Sequence, residues 1–142
     1  MPSFTQRIHD LRKVGPVIEV ILTPSTTFLQ RMNILPTSAK SVKLSAMVDT
    51  GATGTVIKQG ISTILGINPI GTTLINTPSS TNVNCNQFDV QIVLPNNVNI
   101  PSIVITEAPL QGQHIQCLIG RDILQNGIFI YTGYDNSFTL SF

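Results

Sequence analysis

The sequence predicts an all-β domain, and three observations support that fold class. In "KSVKLSAMV" (40–48) every second residue from Val42 to Val48 is apolar, which is typical of a half-buried strand. Pro, Gly and Asn residues separate several such segments at short spacing, as in a compact barrel or sandwich. The length of 142 residues suits one domain, and a mean hydropathy of +0.26 argues against disorder.

The remaining elements follow from local pattern. Strands are predicted where β-branched and aromatic residues recur between turn signals: 17–22, 40–48, 72–77, 87–94, 100–106, 114–120, 128–132 and 137–142. Short helices are predicted where apolar residues recur at helical spacing or before a Gly or Pro: 26–35, 59–67 and 121–127. Residues 78–86 are predicted to be a polar loop or hairpin tip, and 95–97 a turn.

Composition excludes several classes of partner. Charged residues make up 11% of the chain, against roughly 25% in an average domain. The 8 Lys and Arg residues are scattered, apart from Arg12 and Lys13, so we expect no nucleic-acid partner. A net charge of +1 permits self-association. No apolar run or signal-like start is seen, which predicts a soluble, cytoplasmic protein that does not bind membranes.

The cysteines and histidines indicate no metal or thiol chemistry. Cys85 and Cys117 lack metal-like spacing, and two reduced core cysteines are favoured over a disulfide. Cys117 follows His114 by three positions, but such positions on a strand point to opposite faces. The two histidines, His9 and His114, are too few to form a metal site, so no metal or cofactor is expected.

One carboxylate stands at the end of an apolar strand. In "LSAMVDTGATGTVI" (44–57) Asp49 follows the strand directly, where an ionised group is costly unless hydrogen-bonded. Gly51 lets backbone N–H groups approach it, and Thr50 adds a hydroxyl. Acid–base hydrolysis needs both a proton acceptor and a proton donor. The chain has no second Asp-Thr/Ser-Gly, so either Asp49 works alone or a second copy supplies its own.

This loop resembles the active-site loop of the retroviral-type aspartic proteases, or retropepsins. "MVDTGATGTV" matches their pattern of apolar residues, Asp, Thr or Ser, Gly and Ala, followed by Thr and an apolar residue. "CLIGRDIL" resembles the second family mark, two apolar residues followed by Gly120, Arg121 and Asp122 at the start of the C-terminal helix. The resemblance runs from about residue 40 to the end of the chain.

The resemblance implies a closed-barrel protomer of the acid protease fold with one or two short helices, spanning 40–142. Residues 1–39 are then an N-terminal extension, with a first strand at 17–22, packed on the same domain. It also implies a homodimer that hydrolyses extended peptides or proteins, with one Asp49 per protomer activating a water. Thr50, Gly51 and Ala52 support the catalytic loop in this interpretation. We expect the strands at 17–22 and 137–142 near the dimer interface.

The chain departs from the family pattern at two places. Thr53 stands where an acid often pairs with the Arg of the second motif, so Arg121 needs a backbone carbonyl or an acid from elsewhere. The stretch that corresponds to the substrate-covering flap, 75–84, has no Gly. Its predicted substrate-binding residues are Thr77, Pro78, Ser79, Ser80 and Thr81.

The two motifs have other interpretations, of which one stays open and two are disfavoured. A domain that grips extended peptides in the same cleft without cutting them is the alternative function. A phosphate loop of an actin-like ATPase is disfavoured because that fold needs a far longer chain. Asp122 is interpreted as a helix-start residue favoured by the helix dipole rather than as a catalytic group.

Overall fold

Ten β-strands build the computed structural model, which describes residues 2–77, 80–110 and 114–142. The strands are β1 (Ser3–Arg7), β2 (Val17–Pro24), β3 (Val42–Val48), β4 (Val56–Lys58), β5 (Gly71–Thr77), β6 (Ser80–Leu94), β7 (Val98–Ala108), β8 (Cys117–Ile119), β9 (Ile128–Thr132) and β10 (Ser137–Ser141). The helices are α1 (Leu11–Val14), α2 (Thr26–Arg31), α3 (Ile61–Leu65) and α4 (Arg121–Leu124), with 3₁₀ turns at Pro36–Ser38, Pro95–Asn97 and Gly133–Asp135. None of the helices in the described ranges is long and apolar enough to cross a membrane.

Six strands close into a barrel. Their order is β2-β3-β8-β4-β7-β6, and pairing of β2 with β6 completes the ring, while β5 pairs with the first part of β6, up to Gln87. The pairs β3–β8 and β4–β7 are parallel, and the others are antiparallel. Alternate strand residues, such as Leu44, Ala46 and Val48 of β3, fill the interior. This barrel confirms the predicted all-β, closed-barrel fold.

A second sheet, of three strands, joins the two ends of the chain. Its order is β1-β10-β9, so the N-terminal strand pairs with the C-terminal strand. Phe138 and Leu140 of β10 are buried in the same core cluster as the barrel residues. The Leu11 N–H donates to Asn136 Oδ1 at 2.9 Å and holds α1 against this sheet. Residues before 40 thus supply β1 to this sheet and β2 to the barrel, while the division of the chain at residue 40 stays a prediction.

Several local predictions were wrong for reasons of tertiary pairing. Residues 80–86 are strand rather than loop, because β6 pairs with β5 along this stretch despite its Asn- and Thr-rich composition. The strand predicted at 114–120 is only Cys117–Ile119. Strands β1 and β4 were not predicted, since each is short and lacks clear alternation.

Candidate active site

Strand β3 delivers Asp49 to the end of the barrel. The Asp49 N–H donates to Ile119 O of the parallel strand β8 at 2.9 Å, which fixes the backbone at that point. Asp49 Oδ1 accepts the Gly51 N–H at 2.9 Å, and a β-carbon at position 51 would lie 3.2 Å from that oxygen. Asp49 Oδ2 has no hydrogen bond within the described part of the chain. Asp49 is half-buried. One backbone N–H orients its carboxylate, and the second carboxylate oxygen can bind another group.

The start of α4 clasps the loop that follows Asp49. The Arg121 N–H donates to Ala52 O at 2.9 Å, and the Asp122 N–H donates to Thr53 O at 3.2 Å. Ala52 itself turns back, with its N–H on Asp49 O at 3.2 Å. Two successive N–H groups at the start of α4, which lack partners inside the helix, are thus satisfied by the loop. The two sequence motifs, far apart in the chain, form one structural unit.

Asp122 is the central polar contact of this unit. Its Oδ2 accepts the Thr55 N–H at 2.9 Å and its Oδ1 accepts the Thr55 hydroxyl at 2.8 Å. The Thr55 Oγ1 in turn accepts the Gly120 N–H at 3.1 Å, and Thr55 is only 1% exposed. Charge-assisted bonds in a buried network hold their partners more firmly than exposed ones. Asp122 therefore binds Thr55 in the loop, as well as standing in the first turn of α4 as predicted.

Gly120 permits this close approach. A β-carbon at position 120 would lie 2.5 Å from both C and O of Gly54, and 2.9 Å from the Thr55 N. Its φ of −90° is accessible to any residue, so the requirement is one of space. Only glycine lets the end of β8 pass this near the loop backbone.

Arg121 binds the loop without an acidic partner. Its Nη1 donates to Thr50 O at 2.8 Å and its Nη2 donates to Thr53 Oγ1 at 3.3 Å. Among the described residues the ion pairs are Arg7–Asp135 and Lys43–Glu19, so Arg121 has none. The backbone carbonyl expected to replace the missing acid is that of Thr50, which confirms this prediction about the Arg121 contact.

Two of the described acids outside the loop have hydrogen-bond partners of their own. The Ser102 hydroxyl donates to Asp89 Oδ1 at 2.7 Å, and Glu107 Oε2 accepts the Ser62 N–H at 2.9 Å near the start of α3. Among the described residues, a single copy of the chain shows no carboxylate hydrogen-bonded to that of Asp49.

The remaining predicted residues are not brought to the loop by any described contact. Thr77 and Ser80 pair at the end of the β5–β6 hairpin, and Thr81 is exposed on β6. Pro78 and Ser79 lie outside the described residues. The substrate-binding role of this stretch stays a prediction.

Cys117 is not placed for thiol chemistry. It is fully buried in β8, and burial, with the Asp122 carboxylate adding to it, raises the pKa of its thiol to about 12. The thiolate is the reactive form of cysteine, so this side chain stays inert at neutral pH. Both cysteines are free and buried.

Sequence reasoning gave Thr55 only as a match in the family pattern, and it missed the close packing of Gly120 on the backbone of Gly54. Thr55 donates to the Asp122 carboxylate, and the Gly54 carbonyl group lies where a β-carbon at position 120 would stand. Both residues belong to the stretch "GATGT", whose second Gly and Thr were the available signal. A Gly-Thr pair of this kind predicts close backbone packing only once its partner strand is known.

The six-strand barrel, with an Asp-Thr-Gly loop clasped by a Gly-Arg-Asp helix start, has the retropepsin-like aspartic protease fold. A retropepsin-like aspartic protease from Rickettsia conorii is similar over 89% of this chain and 92% of its own, with 17% identity and a TM-score of 0.51. At this identity the likeness shows the fold alone.

Two looser matches were also found. The protease of EIAV, complexed with the inhibitor HBY-793, aligns at 18% identity over 84% of this chain and 92% of its own, with a TM-score of 0.46. The retroviral protease-like domain of Ddi1 from Leishmania major aligns at 14% identity over 81% and 80%, with a TM-score of 0.44. No protein-family model and no curated protein matches the sequence.

Proposed function

We propose that this chain is an aspartic endopeptidase whose active site forms between two copies, each supplying Asp49. The observation that carries the proposal is the Asp49 carboxylate: one oxygen is oriented by the Gly51 N–H, and the other has no hydrogen bond among the described residues. It stands at the end of strand β3, and the barrel to which this strand belongs has the fold of retropepsin-like proteases. One Asp-Thr-Gly per chain makes a second copy the source of the second carboxylate.

The chemistry follows from bringing two carboxylates together. Two carboxyl groups at close range cannot both ionise easily, because their negative charges repel. The two Asp49 side chains therefore hold one proton between them. The ionised Asp49 takes a proton from a bound water, and that water attacks the peptide carbonyl carbon. The protonated Asp49 of the second copy donates to the carbonyl oxygen as the tetrahedral intermediate forms. The first Asp49, now protonated, gives its proton to the departing amine nitrogen, and the C–N bond breaks. The second Asp49 takes a proton from a hydroxyl of the intermediate, which leaves a carboxyl product and one proton on the pair.

The surroundings of Asp49 suit this role because they restrict its motion. Catalytic groups need placement within fractions of an ångström, which supporting hydrogen bonds provide. Thr50 O is bound by the Arg121 guanidinium, and Thr55 is bound by Asp122 on the far side of the loop. The loop is thus held at both ends by one short helix.

The substrate proposed is an extended peptide or protein segment. Such a segment adds to exposed backbone as a strand, and side-chain pockets then select sequence. Strands β5 and β6 form a long hairpin that we propose as the cover of this cleft. The substrate-binding residues proposed there are Thr77, Pro78, Ser79, Ser80 and Thr81, of which Pro78 and Ser79 lie outside the described residues.

The test is cleavage of an unfolded protein, such as reduced and alkylated casein, at a series of pH values from acid to neutral. Peptide products identified by mass spectrometry are expected from the wild type and absent with Asp49→Asn, a variant of nearly the same shape. Cleavage that persists in Asp49→Asn would remove Asp49 from the chemistry. If a folded wild-type dimer cuts nothing but binds the same peptides, the chain is instead the peptide-binding domain considered above.

A further inference from the structure

The connection between β2 and β3 is much longer than the pairing of these two strands requires. Leu22 pairs with Val42, so residues 23–41 separate two positions that lie side by side. Antiparallel neighbours need only about 2–5 residues to turn, and connections longer than about 12–15 residues usually carry a function. This connection folds into α2 and the 3₁₀ turn Pro36–Ser38. Its length therefore needs an explanation beyond joining two strands.

Caps at both ends hold α2 in one conformation. At its start the Ser25 hydroxyl oxygen accepts the Phe28 N–H at 3.1 Å. At its end Asn33 takes the left-handed conformation, with φ 55°, and the Ile34 N–H donates to Leu29 O at 2.8 Å. This is a Schellman motif, in which the chain turns back over the last turn of the helix. Leu29 and Ile34 accordingly line the same cavity.

This cavity lies between α2 and the end of α3 and has a volume of about 220 Å³. Its apolar lining includes Phe28, Leu29, Ile34 and Leu65, and Lys40 is the charged residue among those that line it. We call the cavity and the residues around it the α2–α3 groove. Small-molecule sites usually enclose roughly 300–1,000 Å³, so the cavity suits a single large side chain better than a whole ligand.

Apolar side chains next to the groove are exposed to water. Met32 and Leu35 are 52% and 69% exposed, Ile34 is 36% exposed, and Ile64 of α3 is 53% exposed. Pro36 follows Leu35 directly at the start of the 3₁₀ turn and restricts the backbone there. Single exposed apolar residues are ordinary, but a group of them around a cavity marks an interaction surface.

The charge at the groove is positive. From residue 20 to residue 88 the sequence contains four Lys and Arg residues and one acid, Asp49, which follows the far end of β3. Lys40 has no ion pair among the described residues, and its Nζ lies 3.8 Å from where a β-carbon of Gly66 would stand, at the end of α3. Arg31 lines a separate, smaller cavity together with Asp89. Lys40 is therefore the cation that a ligand in the groove would meet.

We propose that the α2–α3 groove binds a peptide segment of a partner protein in which a large apolar side chain stands beside Asp or Glu. The apolar side chain fills the cavity as an anchor, and the carboxylate pairs with Lys40. A membrane surface is flat and would leave the cavity unfilled. Two copies of this chain that met through the groove about a two-fold axis would bring their Lys40 side chains together.

The groove is distinct from the Asp49 loop. Lys40 precedes β3 and Asp49 follows it, and the seven residues of this strand span roughly 20 Å. A partner held at the groove therefore leaves the surroundings of Asp49 open. The inference goes beyond the proposed function and does not depend on it.

Selection from phage-displayed random heptapeptides tests the class of ligand, with Asp49→Asn protein as bait so that no peptide is cut. One enriched group should carry Leu, Ile, Met or Phe beside Asp or Glu. Fluorescence anisotropy of labelled peptides then gives dissociation constants for groove variants made in the same Asp49→Asn background. Ile34→Ser should raise the constant about tenfold or more, because it removes part of the apolar wall. Lys40→Glu should raise it severalfold and, in a fresh selection, should favour peptides with Lys or Arg.

Matched controls are Tyr134→Ser, which removes an aromatic side chain from a residue that is 92% exposed, and Lys58→Glu, which reverses an exposed cation on β4. Both should leave the dissociation constants unchanged, and circular dichroism checks that every variant is folded. The inference is overturned if no enriched peptide loses affinity in Ile34→Ser or Lys40→Glu, or if the peptides that do so lack Asp and Glu. It is also overturned if Ile34→Ser abolishes self-association, or binding to phosphatidylglycerol vesicles, while no peptide binds.

Discussion

Replacing Asp122 with alanine should destabilise the domain strongly, because one side chain satisfies two buried donors. The Thr55 N–H and hydroxyl bind its carboxylate at 2.9 and 2.8 Å, and Thr55 itself is only 1% exposed. Each buried donor left without a charged acceptor costs roughly 1.5–3 kcal/mol. The sum of about 3–6 kcal/mol is a large part of the roughly 5–15 kcal/mol by which domains are stable.

Asp122→Asn should cost less. The amide oxygen can still accept the Thr55 N–H, but the amide nitrogen replaces the oxygen that accepts the Thr55 hydroxyl and the Ile123 N–H, so we expect a loss of about 2–3 kcal/mol. Asp89→Ala is the matched control, since Asp89 makes an exposed hydrogen bond to the Ser102 hydroxyl and should cost under about 1 kcal/mol.

Urea unfolding followed by far-ultraviolet circular dichroism measures these differences. All variants are compared at one protein concentration, because dimerisation adds to apparent stability by mass action. The free energy of unfolding should decrease in the order wild type, Asp89→Ala, Asp122→Asn and Asp122→Ala. An Asp122→Ala variant within about 1 kcal/mol of the wild type would refute the assignment of Asp122 as the residue that holds the loop.

Three further predictions concern pH and the neighbouring contacts. Cleavage should follow a bell-shaped pH profile with its optimum on the acid side of neutrality, since both limbs report the Asp49 pair; a flat profile would contradict a shared proton. Arg121→Ala should lower the free energy of unfolding by about 1 kcal/mol, the contribution of an exposed hydrogen bond to Thr50 O. It should also weaken dimerisation before it affects kcat. An unchanged melting temperature and dimer dissociation constant would contradict this prediction. Because the Cys117 thiol pKa rises from 9.0 to about 12 on folding, the native state keeps a proton that the unfolded state loses. Its stabilisation is complete below pH 9 and should fall by about 1.4 kcal/mol per pH unit above it; Cys117→Ala should remove this slope, and parallel pH curves for the two proteins would contradict it.

The barrel and the loop could be predicted because their signals are local. Alternation in residues 42–48 identified β3, and Asp49 with Gly51 follows it within three residues. The Gly120–Asp122 motif also lies in one short stretch, and its contact with the loop followed from the family resemblance. In each case a few adjacent residues carry the information.

The rest depends on pairing between distant segments, which one sequence does not reveal. Residues 80–86 read as a loop because their composition is polar, yet the partner strand β5 makes them strand. Strand β4 is three residues long, too short to show a period. The bond between Asp122 and Thr55 and the α2–α3 groove likewise exist only once the chain is folded.

The measurement that most directly tests the shared Asp49 pair is a subunit-mixing assay. A fixed amount of wild-type protein, above its dimer dissociation constant, is equilibrated with increasing Asp49→Asn protein, and cleavage of the same substrate is followed. Random exchange places wild-type chains in mixed dimers with an incomplete pair, so an equal amount of variant should lower the activity to about one half, and a larger excess should lower it further. Activity that stays constant as Asp49→Asn is added, with subunit exchange shown by sedimentation of a labelled variant, would contradict a site built from two copies.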